Sequence, residues 1–201
     1  MKRILFIVVG MVIGALATGA VLNAKAGAGG NPTTVAAGTV KATNNVTACS
    51  AFGGGGGGLC TVKLSGDYFD YGLLGNGKYS GTLTIDWSTY AVDPNFNSDM
   101  CASISGSMTY TTGSSVLKVK EIGASDFSQS FICESPYGQA PSRIYFFQGQ
   151  VISGTGKFSL IIANTSSVNE DGQEFVQENG SGVPTGRYLD QPNIYYNLNF
   201  S

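Results

Sequence analysis

The sequence predicts an all-β fold: a single antiparallel barrel of about eight strands, with a β-sandwich as the alternative. Three observations lead there. Apolar and polar residues alternate in short runs, and no window beyond the N-terminus shows an apolar 3.6-residue period. The 29 glycines and six prolines punctuate the chain closely enough to end each run as a short strand. Segment 146–158 (FFQGQVISGTGKF) reads as a hairpin, two β-competent runs around a Ser/Gly/Thr turn in which Gly154 and Gly156 supply positive φ.

In chain order, segment 1–26 opens with Lys2 and Arg3, continues as an apolar core and ends in Ala24-Lys25-Ala26. That pattern predicts a cleaved signal peptide, with a retained anchor as the alternative. Residues 27–48 form a mature N-terminal arm or edge strand, with a strand signal over 34–41. The barrel domain is assigned to 49–201. Within it, Val62 and Leu64 alternate with Thr61 and Lys63, and Leu83, Ile85 and Trp87 alternate with Thr84 and Asp86. The cleanest period of two places Ile104, Gly106, Met108 and Tyr110 on one face. A turn at Gly113-Ser114 leads into 116–122, and strands are expected at 127–133 and 143–152. Segment 158–163 is the returning strand of the hairpin, with Phe158, Leu160 and Ile162 sharing the core parity. Residues 169–173 read as a polar turn, 180–192 as a broken segment, and 194–201 as a last strand with Ile194, Tyr196, Leu198 and Phe200 on one side.

GTGKF at 154–158, after an aromatic strand, resembles the GGTGKF-type hairpin of the allene oxide cyclase and dirigent barrel proteins. Segment 79–123 is similar to earlier strands of that group: YSGTLTID, a DP turn, a Ser/Thr-rich strand around Gly106, then VLKVKEIG. The sequence departs from the pattern at Ser153 and over 160–163. The resemblance implies an eight-stranded antiparallel barrel and supplies no catalytic residue.

Composition excludes several functions. The chain has no histidine, which removes Ser-His-Asp and Cys-His catalysis and His-ligated zinc. Its net charge is −2, and removal of Lys2, Arg3 and Lys25 makes it more acidic. Without a basic cluster, nucleic acid is not an expected partner, nor is a membrane once the signal is cleaved. Four cysteines in an exported chain predict two disulfides. The favoured pairing is Cys49–Cys60, clipping the six-glycine run 53–58, and Cys101–Cys133.

Candidate sites are sparse. Tyr68, Tyr71, Tyr145 and Phe147 are candidates to line an apolar pocket in a barrel mouth, and plain core is the competing reading. Asp67 and Asp70 lie three apart in a tyrosine-rich loop, a spacing that does not establish paired-carboxylate chemistry. Asp93, Asn95, Asn97 and Asp99 set oxygen donors at alternate positions, as in half of a calcium loop, yet lack its glycine and glutamate. An ordinary turn explains them, and no metal or cofactor is expected. Asn45, Asn164 and Asn179 begin sequons that matter only in a glycosylating host. The resulting expectation is a secreted or periplasmic, non-catalytic barrel that binds a small apolar ligand or acts at the cell exterior. The alternatives are a subunit of an extracellular assembly or adhesin, fimbrial in style, and an enzyme using carboxylates or tyrosines.

Overall fold

The computed structural model describes residues 33–42, 58–93, 99–122, 130–135, 143–178 and 184–201. The expected signal peptide, Cys49, Asn95 and Asn97 lie outside them, as do the side chains of Asp93 and Asp99.

Among the described residues nine strands form one antiparallel sheet: β1 (Thr33–Ala42), β2 (Leu59–Phe69), β3 (Gly77–Asp93), β4 (Asp99–Thr112), β5 (Ser115–Glu121), β6 (Phe131–Glu134), β7 (Arg143–Gly154), β8 (Ser167–Glu178) and β9 (Pro184–Asn197). The order β3-β2-β1-β9-β8-β7-β5-β4 closes on itself because β3 also pairs with β4. The ring is uneven at one place. Between β4 and β7, β5 fills one end and the short β6 the other. The fold is the expected all-β barrel.

Alternation decides which face turns inward. Leu83, Ile85 and Trp87 of β3, Ile104, Met108 and Tyr110 of β4, Leu117 and Val119 of β5, and Phe147 and Val151 of β7 all point into the ring. These side chains fill it, so the barrel is a packed core and not an open cup. Burying each large side chain contributes about 1.5–3 kcal/mol. The expected Cys101–Cys133 disulfide is present, joining directly opposed residues of β4 and β6. Cys60 is also disulfide-bonded, and its expected partner lies outside the described residues.

Several expectations are corrected. The N-terminal segment is no edge, since β1 pairs with β2 on one side and β9 on the other. Segment 158–163 is no returning strand. After β7 the chain makes two single 3-10 turns, Gly156–Phe158 and Ala163–Thr165, and pairing with β7 resumes only at Ser167. Phe158 is core, but Leu160 is 60% and Ile162 42% exposed, because turns and not an extended strand carry them. Gly156 has φ 60°, whereas Gly154 does not adopt positive φ.

Segment 169–173, expected as a turn, is the middle of β8, paired on both sides. Its polarity disguised a strand whose inward side chains are acidic and find partners inside. Of the expected break over 180–192, residues 180–183 lie outside the described residues and 184–192 belong to β9, which runs through Pro192. Proline removes a ladder donor. No β1 partner pairs with Gln191 or Pro192, although the β8 side holds both. Phe200, expected inside with Leu198, is 40% exposed and makes only an isolated bridge to Ile161, since β9 ends at Asn197.

Candidate functional site

Two places on the barrel concentrate polar chemistry, one inside and one outside. The inner one follows from the parity of β8 and β9. Glu170 and Glu174 of β8 and Asp190 of β9 face inward and are almost wholly buried. Asp190 accepts hydrogen bonds from Tyr79 Oη at 2.6 Å and Tyr145 Oη at 3.0 Å. Tyr110 Oη donates to Glu170 Oε1, while Glu170 Oε2 is buried without a hydrogen-bond partner. Arg143, 1% exposed, lies 3.1 Å from Glu134 and 3.5 Å from Glu174, with its guanidinium 4.2 Å above the Tyr188 ring.

Burial is the largest influence on these acids. It pushes Glu170 up to about 8 against the hydrogen bond from Tyr110. It lifts Glu174 to about 7 against the attraction of Arg143, and Asp190 to about 6 against the bonds from Tyr79 and Tyr145. The same burial, reinforced by the neighbouring acids, raises Tyr79, Tyr110 and Tyr145, which remain neutral hydrogen-bond donors. A cluster enclosed to this degree specifies how strands pack.

The outer place is a groove of about 840 Å³ across the outward face of β6 to β9. Strand register builds it in two rows. One row runs Phe131, Phe146, Asp171, Asn193 over four successive strands. The second runs Ile144, Gln173, Gln191 over three. Two residues along a strand span about 7 Å, and neighbouring strands stand about 4.8 Å apart. The groove is therefore split, apolar over β6–β7 and amide-rich over β8–β9. The Phe131 and Phe146 rings lie 6.2 Å apart and are tilted by 35°.

The floor is thin. Ala36, Tyr145, Gly172 and Pro192 belong to the inward rows yet border the groove. Gly172 is required there, because a Cβ would stand 2.2 Å from the Tyr145 ring. Tyr145 thus touches both places: its ring underlies the groove and its hydroxyl holds Asp190.

Of the residues singled out from sequence, Tyr68, Tyr145 and Phe147 are buried in the core. Tyr71 is 93% exposed in the loop after β2, edge-on to Phe69, and lines no pocket with them. Asp67 pairs with Lys78 in solvent. Asp70 faces the opposite way and accepts from the Leu74 and Gly75 amides and from Tyr196 Oη. The two carboxylates organise a turn and share no site. Among the described residues no group of three or more His, Cys, Asp or Glu is arranged to hold a metal ion. Sequence reasoning takes Asn169, Glu170, Asp171 and Glu174 for an acidic turn, and singles out neither Asp190 nor Arg143. The available signal was the parity of Val168, Glu170, Gly172 and Glu174 in a run dismissed as a turn.

Comparison of the chain with protein-family models, curated proteins and solved structures finds no match.

Proposed function

We propose that the chain is an exported, non-catalytic β-barrel that binds a small ligand in the groove across β6 to β9. The observation that carries this reading is the groove itself. Its volume lies in the range of small-molecule sites, about 300–1,000 Å³, and its apolar wall faces a few convergent polar groups. The barrel mouth is the poorer candidate, since Tyr68, Tyr145 and Phe147 are spent on packing. Disulfides accord with export. Kinship with the allene oxide cyclase and dirigent barrels belongs to the same proposal, as such kinship entails this architecture.

Two observations favour binding over the rival readings. A fimbrial-style subunit needs a vacant strand position, yet β9 is paired on both sides within its own chain. An enzyme working with carboxylates needs them within reach of substrate, yet Glu170, Glu174 and Asp190 are at most 2% exposed.

The test uses a neutral solvatochromic dye such as Nile red. The dye is expected to brighten with the wild-type protein, to lose that response with Phe146→Ala, and to keep it with Tyr71→Ala. A response abolished by Tyr71→Ala and untouched by Phe146→Ala would move the site away from the groove.

A further inference from the structure

We infer that the groove's ligand is a neutral saccharide, an inference that rests on the groove being the binding site. The argument starts from what each row demands. On the amide side stand Gln173, Gln191 and Asn193, three primary amides. Each offers two N–H donors and a carbonyl acceptor, and a ligand must return both kinds of partner. A wholly apolar ligand would displace water from these amides and give them no hydrogen-bond partner in return.

Charge narrows the choice further. Among the described residues that line the groove, Asp171 is the one formally charged side chain, and no lysine or arginine accompanies it. Its Oδ1 is buried without a hydrogen-bond partner. Anionic ligands are repelled there. An alkylammonium ion suits a carboxylate and aromatic rings, but it carries no lone pairs for the amide N–H groups. A hydroxyl both donates and accepts. Vicinal hydroxyls present that pair of functions along one edge of a ring, matching amides about 4.8 Å apart on adjacent strands.

The opposite wall suits the remainder of the same molecule. A pyranose has an apolar face of C–H groups as well as a hydroxyl edge. Phe146 and Phe131 stand next to each other in the row that continues to Asp171 and Asn193. A sugar laid on the phenyl rings directs its hydroxyls across β8 to the amides. The groove's length over four strands accommodates more than one sugar unit, so short oligosaccharides are the expected ligands.

The experiment is titration calorimetry of the full chain against cello-, malto-, xylo- and chito-oligosaccharides of two to four units, beside tetramethylammonium, a polyproline peptide and the neutral dye. At least one oligosaccharide is expected to bind with Kd of about 1 mM or tighter. Gln173→Ala combined with Gln191→Ala is expected to weaken that binding at least about tenfold while leaving the dye response intact. Phe146→Ala should lower both. Circular dichroism melts confirm folding of each variant, and Lys118→Ala on the exposed face of β5 is the control. Dye binding that depends on Phe146, with no saccharide bound, overturns the ligand class and leaves the groove reading standing. Preferential binding of tetramethylammonium or polyproline at the groove also overturns the class. Absence of every response overturns both.

Discussion

Tyr79 and Asp190, 111 residues apart in the chain, are joined by a buried 2.6 Å hydrogen bond. Tyr79 comes from β3 and Asp190 from β9, which β1 and β2 separate in the ring. The bond therefore reaches through the interior, and Tyr145 of β7 meets the same carboxylate from a third strand. Removing the Tyr79 hydroxyl leaves Asp190 under-paired inside the barrel. Tyr79→Phe should lower unfolding stability by about 1–3 kcal/mol. In a double-mutant cycle with Tyr145→Phe, the two losses should be non-additive by about 0.5 kcal/mol or more, because both donors serve one acceptor. Strict additivity in urea melts would show that the carboxylate does not couple the strands.

The acids predict an unusual pH dependence. Glu170, Glu174 and Asp190 are all raised on folding, so the folded state binds more protons than the unfolded chain between their two sets of values. Their stabilisation is complete below the unfolded carboxylate range of about 4 to 4.5 and is lost as pH rises through about 6, 7 and 8. Thermal melts should give their highest Tm on the acid side and a steady decline towards pH 8. Glu170→Gln keeps the shape and cannot ionise, so it should flatten the upper part of that decline. A wild-type Tm that rises between pH 5 and 8 would contradict the buried assignment.

How much of this was legible in the sequence depends on what each side chain hides. Ile104, Met108 and Tyr110 face inward as their apolar period requires, and Cys101 and Cys133 pair as expected. Glu170 and Glu174 obey the same period in β8, but a pattern read through hydrophobicity takes buried acids for solvent-facing ones. Partners distant in sequence, among them Tyr110 and Arg143, make the inward placement tolerable. Pro192 looked like a break because its lost donor matters only if a neighbour needs it there, and β1 makes no pairing at that point. The groove could not be read at all. Phe131, Phe146, Asp171 and Asn193 become a row only when the register of four strands is fixed.

The Cys101–Cys133 bridge spans 32 residues and ties β4 to β6. In the chain-entropy account, closing a loop of that length stabilises the fold by about 3–4 kcal/mol. Replacing both cysteines by serine should lower stability by that order in denaturant titration. The largest local effect is expected at β6, a four-residue strand whose pairing with β4 the bridge secures. Hydrogen exchange should therefore rise at Ile132 and Glu134 before it rises at Ile104 or Met108. Uniform loss of protection would place the bridge's contribution in the unfolded state alone.

Gly154 ends β7 and Gly156 opens the 3-10 turn after it, and the two are glycines for different reasons. Gly156 has φ 60°, in the left-handed region that a Cβ disfavours by about 1–2 kcal/mol, and that Cβ would also stand 2.4 Å from Ser115 Oγ. Gly154 has no positive φ. A Cβ there would lie 2.2 Å from the Phe158 carbonyl oxygen and 2.8 Å from its Cβ. Phe158 is fully buried, and its truncation to alanine should cost about 3–5 kcal/mol. Relief of the Gly154→Ala clash requires the chain to move Phe158 outward, so this variant should share part of the Phe158→Ala loss. Gly156→Ala should cost the backbone penalty plus a displacement of Ser115, whose Oγ accepts the Lys157 N–H at 3.0 Å. The expected order of destabilisation is Phe158→Ala, then Gly154→Ala, then Gly156→Ala. Combining Gly154→Ala with Phe158→Ala should cost less than the sum, because the second change removes the side chain that the first displaces. Full additivity of that pair would mean the alanine at 154 is accommodated without disturbing the buried ring.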